Sequence, residues 1–132
     1  MQLKERHHFE HLSRKIIGIA IEVHRALGPG FLEKIYEEAL KVAFSRNNLD
    51  FEFQKEIEVE YLGVIVGTHR LDLIVEDKVI VDNKAKSEVA AIDKQQLLTY
   101  LRLNDVRLGL ILNFNVPKLV DGVCRVVNQL EE

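Results

Sequence analysis

The sequence predicts one α/β domain with a mixed central β-sheet flanked by helices. Three observations predict it. Apolar residues recur at helical spacing over residues 9–47, strand-like patterns joined by short turns follow, and a nearly all-apolar segment at 106–114 comes after a further helical pattern. A hairpin pairs antiparallel, whereas a strand that arrives after a helix is expected to pair parallel with an earlier strand. The 132 residues suffice for a single domain, 1–132, that buries about two thirds of its unfolded surface.

The composition is that of an ordinary globular protein, with 47% apolar and 30% charged residues and a net charge of −3. A protein of that charge does not hold nucleic acid by bulk electrostatics, which favours a chain that never meets nucleic acid. Site acids and a Glu-rich strand supply many of the negative charges, however, and a bound metal would offset some of them.

Cysteine usage and hydropathy exclude several further classes. Cys124 is the only cysteine, so neither an internal disulfide nor a Cys-based zinc site can form, and a buried inert thiol is expected. No apolar run approaches the length of a membrane span. Residues 1–11 are polar and lack the apolar core of a signal peptide, so no membrane role is expected and the cytoplasm is the expected location.

The first predicted helix covers residues 9–27 and ends at Gly28-Pro29-Gly30, with residues 1–8 expected to be frayed. His24 falls on or beside its apolar stripe, where packing is favoured over a role near a site. The polar histidines at positions 7, 8 and 11 are not expected to form a metal cluster, because they lie in or beside the frayed end.

The second predicted helix covers residues 31–47. Glu33 and Tyr36 are three apart and therefore neighbours on its surface. Glu33 also lies in the first turn, where the helix dipole favours a negative charge. By residue chemistry alone, a favourable N-terminal charge beside a packed tyrosine is preferred. The alternative is a third acid aimed at the two aspartates described below.

Residues 52–62 alternate in polarity, which predicts a half-exposed strand with Glu56, Glu58 and Glu60 on its solvated face. Gly63 marks a turn. Residues 64–66 are expected to begin the next strand, with a bulge at Gly67.

Residues 70–85, RLDLIVEDKVIVDNKA, predict a β-hairpin whose loop is 76–78. This register places Val75 opposite Val79, and Asp72 opposite Asp82. One face then collects Leu71, Leu73, Val75, Val79, Val81 and Ala85, and the other collects Arg70, Asp72, Ile74, Ile80, Asp82 and Lys84.

The polar face of this hairpin predicts a site. The β-carbons of Asp72 and Asp82 would lie about 4.5–5.5 Å apart, and carboxylates that close repel unless a proton or a cation lies between them. Lys84 adds a positive donor on the same face. Two acids and a lysine suit a hard divalent metal and a phosphate. The alternative is a solvated face with an ion pair from Lys84 to either aspartate.

A third helix is predicted over residues 92–103, where Gln96 and Tyr100 are four apart and share a face. They could orient a ligand, a water or a phosphate, or they could equally hydrogen-bond the sheet. The apolar segment 106–114 predicts a central strand covered on both faces. Residues 122–128 predict a short strand or a turn of helix.

Three motifs resemble a known family. Asp72 followed by Asp82-x-Lys84 is similar to the signature of the PD-(D/E)XK nuclease superfamily, and Gly30-Phe-Leu-Glu33-Lys-Ile-Tyr36 resembles the motif of its GxxExxY family. Gln96-Leu-Leu-Thr-Tyr100 resembles the Gln-hydrophobic-x-x-Tyr motif of RecB-like nucleases. The resemblance runs from about Ile16 to Asn128. It implies a restriction-endonuclease-like α-β-β-β-α-β core.

The resemblance also implies a reaction, namely metal-dependent hydrolysis of phosphodiester bonds, with DNA favoured over RNA as the substrate. Asp72 and Asp82 would hold Mg²⁺ or Mn²⁺, and Glu33 would be a further ligand, directly or through water. Lys84 would be catalytic. The expected substrate-positioning residues are Gln96, Tyr100 and Tyr36.

Two positions depart from the family pattern. Asp82 stands where the GxxExxY family usually has Glu. Asn83 stands on the apolar face, which requires that this face is partly open, that Asn83 is hydrogen-bonded, or that the strand is ending. No DNA-reading module is evident, so a homodimer or a protein partner is expected to supply specificity. The rival hypotheses are a non-catalytic binding or scaffold domain and a hydrolase of small phosphorylated molecules.

Overall fold

The computed structural model describes residues 3–129. The elements, in chain order, are α1 (Leu3–Leu27), α2 (Glu33–Arg46), β1 (Phe51–Tyr61), β2 (Val64–Val75), β3 (Val79–Lys84), α3 (Ala91–Leu103), β4 (Leu108–Asn113), a 3-10 turn (Leu119–Gly122) and β5 (Val123–Val127). The five strands form one sheet in the order β1-β2-β3-β4-β5. Strands β3 and β4 pair parallel and the other neighbours pair antiparallel. The predicted α/β class and mixed sheet are therefore confirmed.

The sheet is covered on both faces. Buried side chains of α1 and α2, including Ile16 and Leu40, pack with alternate residues of β3 and β4 in the larger core cluster. The smaller cluster lies on the opposite face, where Leu97 and Leu101 of α3 pack against Ile80. Because both faces are covered, β4 is buried along its whole length, as its apolar run predicted.

Helix α1 begins at Leu3, whereas the sequence analysis placed residues 1–8 in a frayed end. Residues 1 and 2 lie outside the described part. Lys4, Glu5 and Arg6 are good helix formers, and Phe9 packs on the larger core cluster, so the helix extends in this direction. None of the helices in residues 3–129 is both long and apolar enough to cross a bilayer.

The predicted register of the β2–β3 hairpin is confirmed by the pairs Leu73–Val81 and Val75–Val79. Its loop is residues 76–78, as predicted, and Glu76 and Asp77 adopt positive φ angles of 53° and 55°. The ladder ends at the pair Leu73–Val81, so Asp72 and Asp82, which the prediction placed opposite each other, do not form a ladder pair.

The prediction that Leu71 and Leu73 share one face of the hairpin is wrong. Leu71 packs in the smaller cluster beside α3, whereas Leu73 packs in the larger one. The two leucines would share a face in a regular strand. The alternation changes phase because the β1–β2 ladder is distorted between them, opposite Gln54, whose φ is +53°.

The β1–β2 ladder also shifts register near the predicted bulge. Val59 pairs with Gly67 and Glu60 pairs with Ile65, which leaves Val66 as the extra residue. The side chains of Glu56, Glu58 and Glu60 are exposed, in agreement with a solvated face.

Candidate active site

A hollow of about 140 Å³ lies between α2, α3 and the hairpin strands β2 and β3. Asp72, Asp82 and Lys84 all line it, which is the convergence that the hairpin pattern predicted. The other side chains that line it are Glu33, His69, Arg70, Leu71, Ile80, Val81, Gln96 and Tyr100. Four separate elements therefore contribute polar groups to one small space.

The two aspartates interact strongly. Burial, followed by the charge of Asp82 and a hydrogen bond with its carboxyl group, raises the pKa of Asp72 to about 7. Burial also raises the pKa of Asp82, although the neighbouring Lys84 opposes that shift. At neutral pH the pair therefore lies near the point at which it shares a proton, so an added cation would be stabilised there.

Lys84 interacts with the carboxyl groups of both Asp82 and Glu33 in the hollow. Its Nζ lies 3.4 Å from Asp82 Oδ1. Burial alone would lower the pKa of Lys84, but the carboxylates of Asp82 and Glu33 more than offset this and raise it. The ammonium group therefore stays charged over the physiological range.

Asn83 lies between Asp82 and Lys84 in sequence, and its side chain is fully buried. Its backbone N–H donates to Asp72 Oδ2 at 3.2 Å. Within the described residues, neither polar atom of its side chain has a hydrogen-bond partner. Of the three alternatives in the sequence analysis, the open face and the hydrogen-bonded amide are wrong, whereas the strand does end one residue later, at Lys84.

Glu33 begins α2 and lines the hollow. Burial, partly opposed by Lys84, raises the pKa of its carboxyl group, and the charge of Asp82 adds to the shift. Across residues 3–129, however, no three His, Cys, Asp or Glu side chains lie close enough together to hold an ion by themselves. The three carboxylates thus do not form a preassembled cluster, and the role of Glu33 as a ligand, directly or through water, stays a prediction.

Gln96 and Tyr100 both line the hollow from α3, as their shared helix face predicted. The ring of Tyr100 stacks on His69 with centroids 4.1 Å apart, and its hydroxyl lies 3.4 Å from His69 Nδ1. The sequence analysis missed His69. A regular strand would place His69 and Asp72, which are three residues apart, on opposite faces, so the sequence pattern did not indicate it.

The structure corrects the substrate-positioning role assigned to Tyr36. The tyrosine is fully buried, stacks on Phe114 at 4.4 Å and does not line the hollow. Its hydroxyl donates to the Gly28 carbonyl at 2.6 Å and accepts the Phe31 N–H at 3.2 Å. It therefore closes the turn that leads from α1 into α2.

His24 also belongs to the core. It is buried, and its ring donates from Nε2 to the Val116 carbonyl at 2.8 Å. The packing interpretation of this histidine thus agrees with its surroundings, which lie away from the hollow.

Comparison with known families agrees with this geometry. A family model described as the PD-(D/E)XK nuclease superfamily matches residues 10–126. The chain belongs to this superfamily. The five-stranded mixed sheet with three helices is consistent with its restriction-endonuclease-like fold. No curated protein and no solved structure matches the chain significantly.

Membership of the PD-(D/E)XK superfamily indicates a nuclease and implies nucleic acid as the substrate class. PD-(D/E)XK nucleases generally use divalent metals. The donor set of this chain fits such an ion, because Asp72 and Asp82 offer carboxylate oxygens whose mutual repulsion a cation would relieve. Two carboxylates leave most of the coordination shell to water and phosphate, as is typical of Mg²⁺ sites.

Proposed function

We propose that this protein is a metal-dependent phosphodiester hydrolase that cleaves DNA, with RNA as the less favoured substrate. The convergence of Asp72, Asp82 and Lys84 in one hollow is the observation that carries the proposal. The preference for DNA rests on the resemblance of Gln96 and Tyr100 to the motif of RecB-like nucleases.

Each side chain has a distinct task in this proposal. Asp72 and Asp82 would hold Mg²⁺ or Mn²⁺, with Glu33 as a further ligand, directly or through water. When bound, the ion polarises a phosphate ester and makes a nearby water more acidic. The Lys84 ammonium group neutralises charge that develops on the phosphate oxygens. Gln96 and Tyr100 orient the nucleic acid or the attacking water from the opposite wall.

We also propose that the chain is a GxxExxY member of the superfamily. Gly30 has a φ of +104°, which suits glycine in the turn before α2. Glu33 reaches the hollow and Tyr36 fastens the same turn, so the three named positions have separate physical reasons.

The test is cleavage of DNA by purified protein with Mg²⁺, with Mn²⁺ and with chelator. Asp82→Ala and Lys84→Ala should each abolish cleavage. Asp77→Ala and Lys78→Ala are matched controls, because they change the same residue types in the exposed loop of the same hairpin. Cleavage that survives Asp82→Ala or Lys84→Ala would point to a contaminating nuclease and overturn the proposal.

A second candidate is a non-catalytic binding domain that retains the fold. The buried, unpartnered Asn83 between Asp82 and Lys84 favours it, because such a side chain weakens the strand that carries both site residues. This candidate predicts binding of nucleic acid or protein that is unaffected by chelator, without turnover.

A further inference from the structure

Strand β1 has an unusual backbone conformation at the residue that lies opposite Asp72. Gln54 has a φ of +53° and lies within β1. Among the described residues, the other non-glycine positions with positive φ lie outside the helices and strands, namely Asn48, Leu62, Glu76, Asp77, Asp105 and Gln129. A side chain in the left-handed region is disfavoured, so a strand that retains one at this place requires an explanation.

The distortion coincides with Asp72. Phe53 pairs with Leu73 and Lys55 pairs with Leu71, so Gln54 lies directly across from Asp72, but these two residues form no ladder pair. On one side of this point the strands pack toward α2, where Lys41 Nζ lies 3.8 Å from the centre of the Phe53 ring.

On the other side of the same point, Leu71 and Ile57 pack toward α3. The side chains of β1 and β2 therefore change the face of the sheet on which they pack at the position of Asp72. The carboxylate of Asp72 then takes the Asn83 N–H, at the position where the β2–β3 ladder has ended.

The side chain of Gln54 reaches the second helix. Its Nε2 donates to Glu37 Oε1 at 2.9 Å, and Glu37 is 7% exposed. Glu37 is one turn after Glu33 on the same face of α2. The Glu37 carboxylate lies close enough to Glu33 and Asp72 for its charge to act on both. One residue thus joins the strand that faces Asp72 to the helix that carries Glu33.

We infer that Gln54 is a positioning residue of the hollow: its left-handed backbone turns β2 so that Asp72 faces Asp82, and its amide, through Glu37, holds Glu33 toward the same space. This inference rests on the proposed function for its kinetic consequences only. Its structural part concerns the direction of the Asp72 carboxylate.

Two readouts separate positioning from simple stability. The first is the amide resonance and hydrogen exchange of Asn83 by NMR, because this N–H donates to the Asp72 carboxylate. The second is the separation of kcat from KM for DNA cleavage. Melting temperature is measured alongside for every variant.

Gln54→Val opposes the left-handed backbone, since a β-branched residue disfavours it. We expect it to shift the Asn83 resonance, to speed exchange of that amide, and to lower kcat by about tenfold to a hundredfold with KM nearly unchanged. Asn48→Val is the matched control, because Asn48 has a φ of 58° in an exposed turn remote from the hollow. It should lower the melting temperature while leaving Asn83 and kcat unchanged.

Gln54→Gly retains the backbone conformation and removes only the side chain, so it is expected to fold. It should leave the Asn83 resonance in place and still lower kcat, because Glu33 loses its tether. Wild-type kcat in Gln54→Gly would overturn the role of the amide.

Reversal of the hydrogen bond between Gln54 and Glu37 is the strictest test of its role. Gln54→Glu places two carboxylates together and should lower kcat, whereas the double variant Gln54→Glu/Glu37→Gln restores a donor and an acceptor. We expect the double variant to recover kcat to within about threefold of wild type.

The inference is overturned if Gln54→Val changes only the melting temperature, as Asn48→Val does, and the Asn83 resonance stays in place. If the wild-type protein cleaves no DNA, the proposed function fails instead. The Asn83 resonance in Gln54→Val then still decides whether Gln54 positions Asp72.

Discussion

The backbone N–H of Asn83 donates to the carboxylate of Asp72 at 3.2 Å, where the ladder between β2 and β3 has already ended. A side chain of one strand thus takes the hydrogen bond that a main-chain carbonyl would accept in a continuous sheet. Because Asn83 is flanked by Asp82 and Lys84, this bond fixes the first acid relative to the other two polar groups. The arrangement has consequences for stability, cation binding and catalysis that can be measured separately.

The pH dependence of stability should reflect the crowded aspartates. The pKa of Asp72 is raised from 3.8 to about 7, so between these values the folded state binds a proton that the unfolded state does not. The free energy of unfolding should therefore fall as pH rises through this window. Asp72→Asn should remove much of the slope and stabilise the protein above pH 7, by roughly 1 kcal/mol because solvent screens part of the repulsion.

Urea unfolding at about pH 5 and about pH 8 measures this difference. Mn²⁺ should raise the melting temperature of the wild type more at the higher pH and should have little effect on Asp72→Asn. Asp77→Asn, in the exposed hairpin loop, is the control. A wild-type protein whose stability rises between these two pH values would contradict the prediction.

Two buried asparagines should respond to the same substitution with opposite sign. Asn83→Val removes an amide without partners and should raise the free energy of unfolding by about 1–3 kcal/mol. Asn113→Val removes an amide that accepts the Lys86 N–H at 3.2 Å and donates to the Lys86 carbonyl at 2.9 Å. It should lower the free energy of unfolding by about 1–3 kcal/mol. Equal effects in urea unfolding would mean that the Asn83 amide has a partner such as a buried water.

Two tyrosines should separate structure from activity. Tyr36→Phe removes a hydroxyl that bonds the Gly28 carbonyl and the Phe31 N–H, so it should lower stability by about 1–2 kcal/mol with kcat nearly unchanged. Tyr100→Phe removes a hydroxyl at the hollow and should lower kcat with little effect on stability. Thermal unfolding and DNA cleavage by the same preparations measure both. A loss of kcat in Tyr36→Phe without a loss of stability would restore the role that the sequence analysis assigned to it.

Two glycines should differ in their tolerance of a methyl group. A β-carbon at Gly109 would meet the side chain of Leu97 at 2.8 Å, and one at Gly122 would overlap the backbone carbonyl oxygen of Asn113. A side chain can shift, whereas this backbone oxygen belongs to a central strand. Gly109→Ala should therefore cost about 1–3 kcal/mol, and Gly122→Ala should cost more. Chemical denaturation of the two variants ranks them, and the reverse order would contradict the prediction.

The sequence alone determined the features that depend on short-range patterns. The loop of the hairpin and the pairing of residues 73–75 with 79–81 follow from alternation over neighbouring positions, and this pairing brings Asp72, Asp82 and Lys84 to the same end of the hairpin. The covered strand after α3 was predictable in the same way, because an uninterrupted apolar run requires burial on both faces.

Only the tertiary structure decided which side chains line the hollow and which do not. The burial of Tyr36 depends on Phe114, which is distant in sequence, and the place of His69 depends on its stack with Tyr100. The change of face between Leu71 and Leu73 depends on one left-handed residue in another strand. These contacts join segments far apart in the chain, and a single backbone angle leaves no periodic signal, so no local pattern contains them.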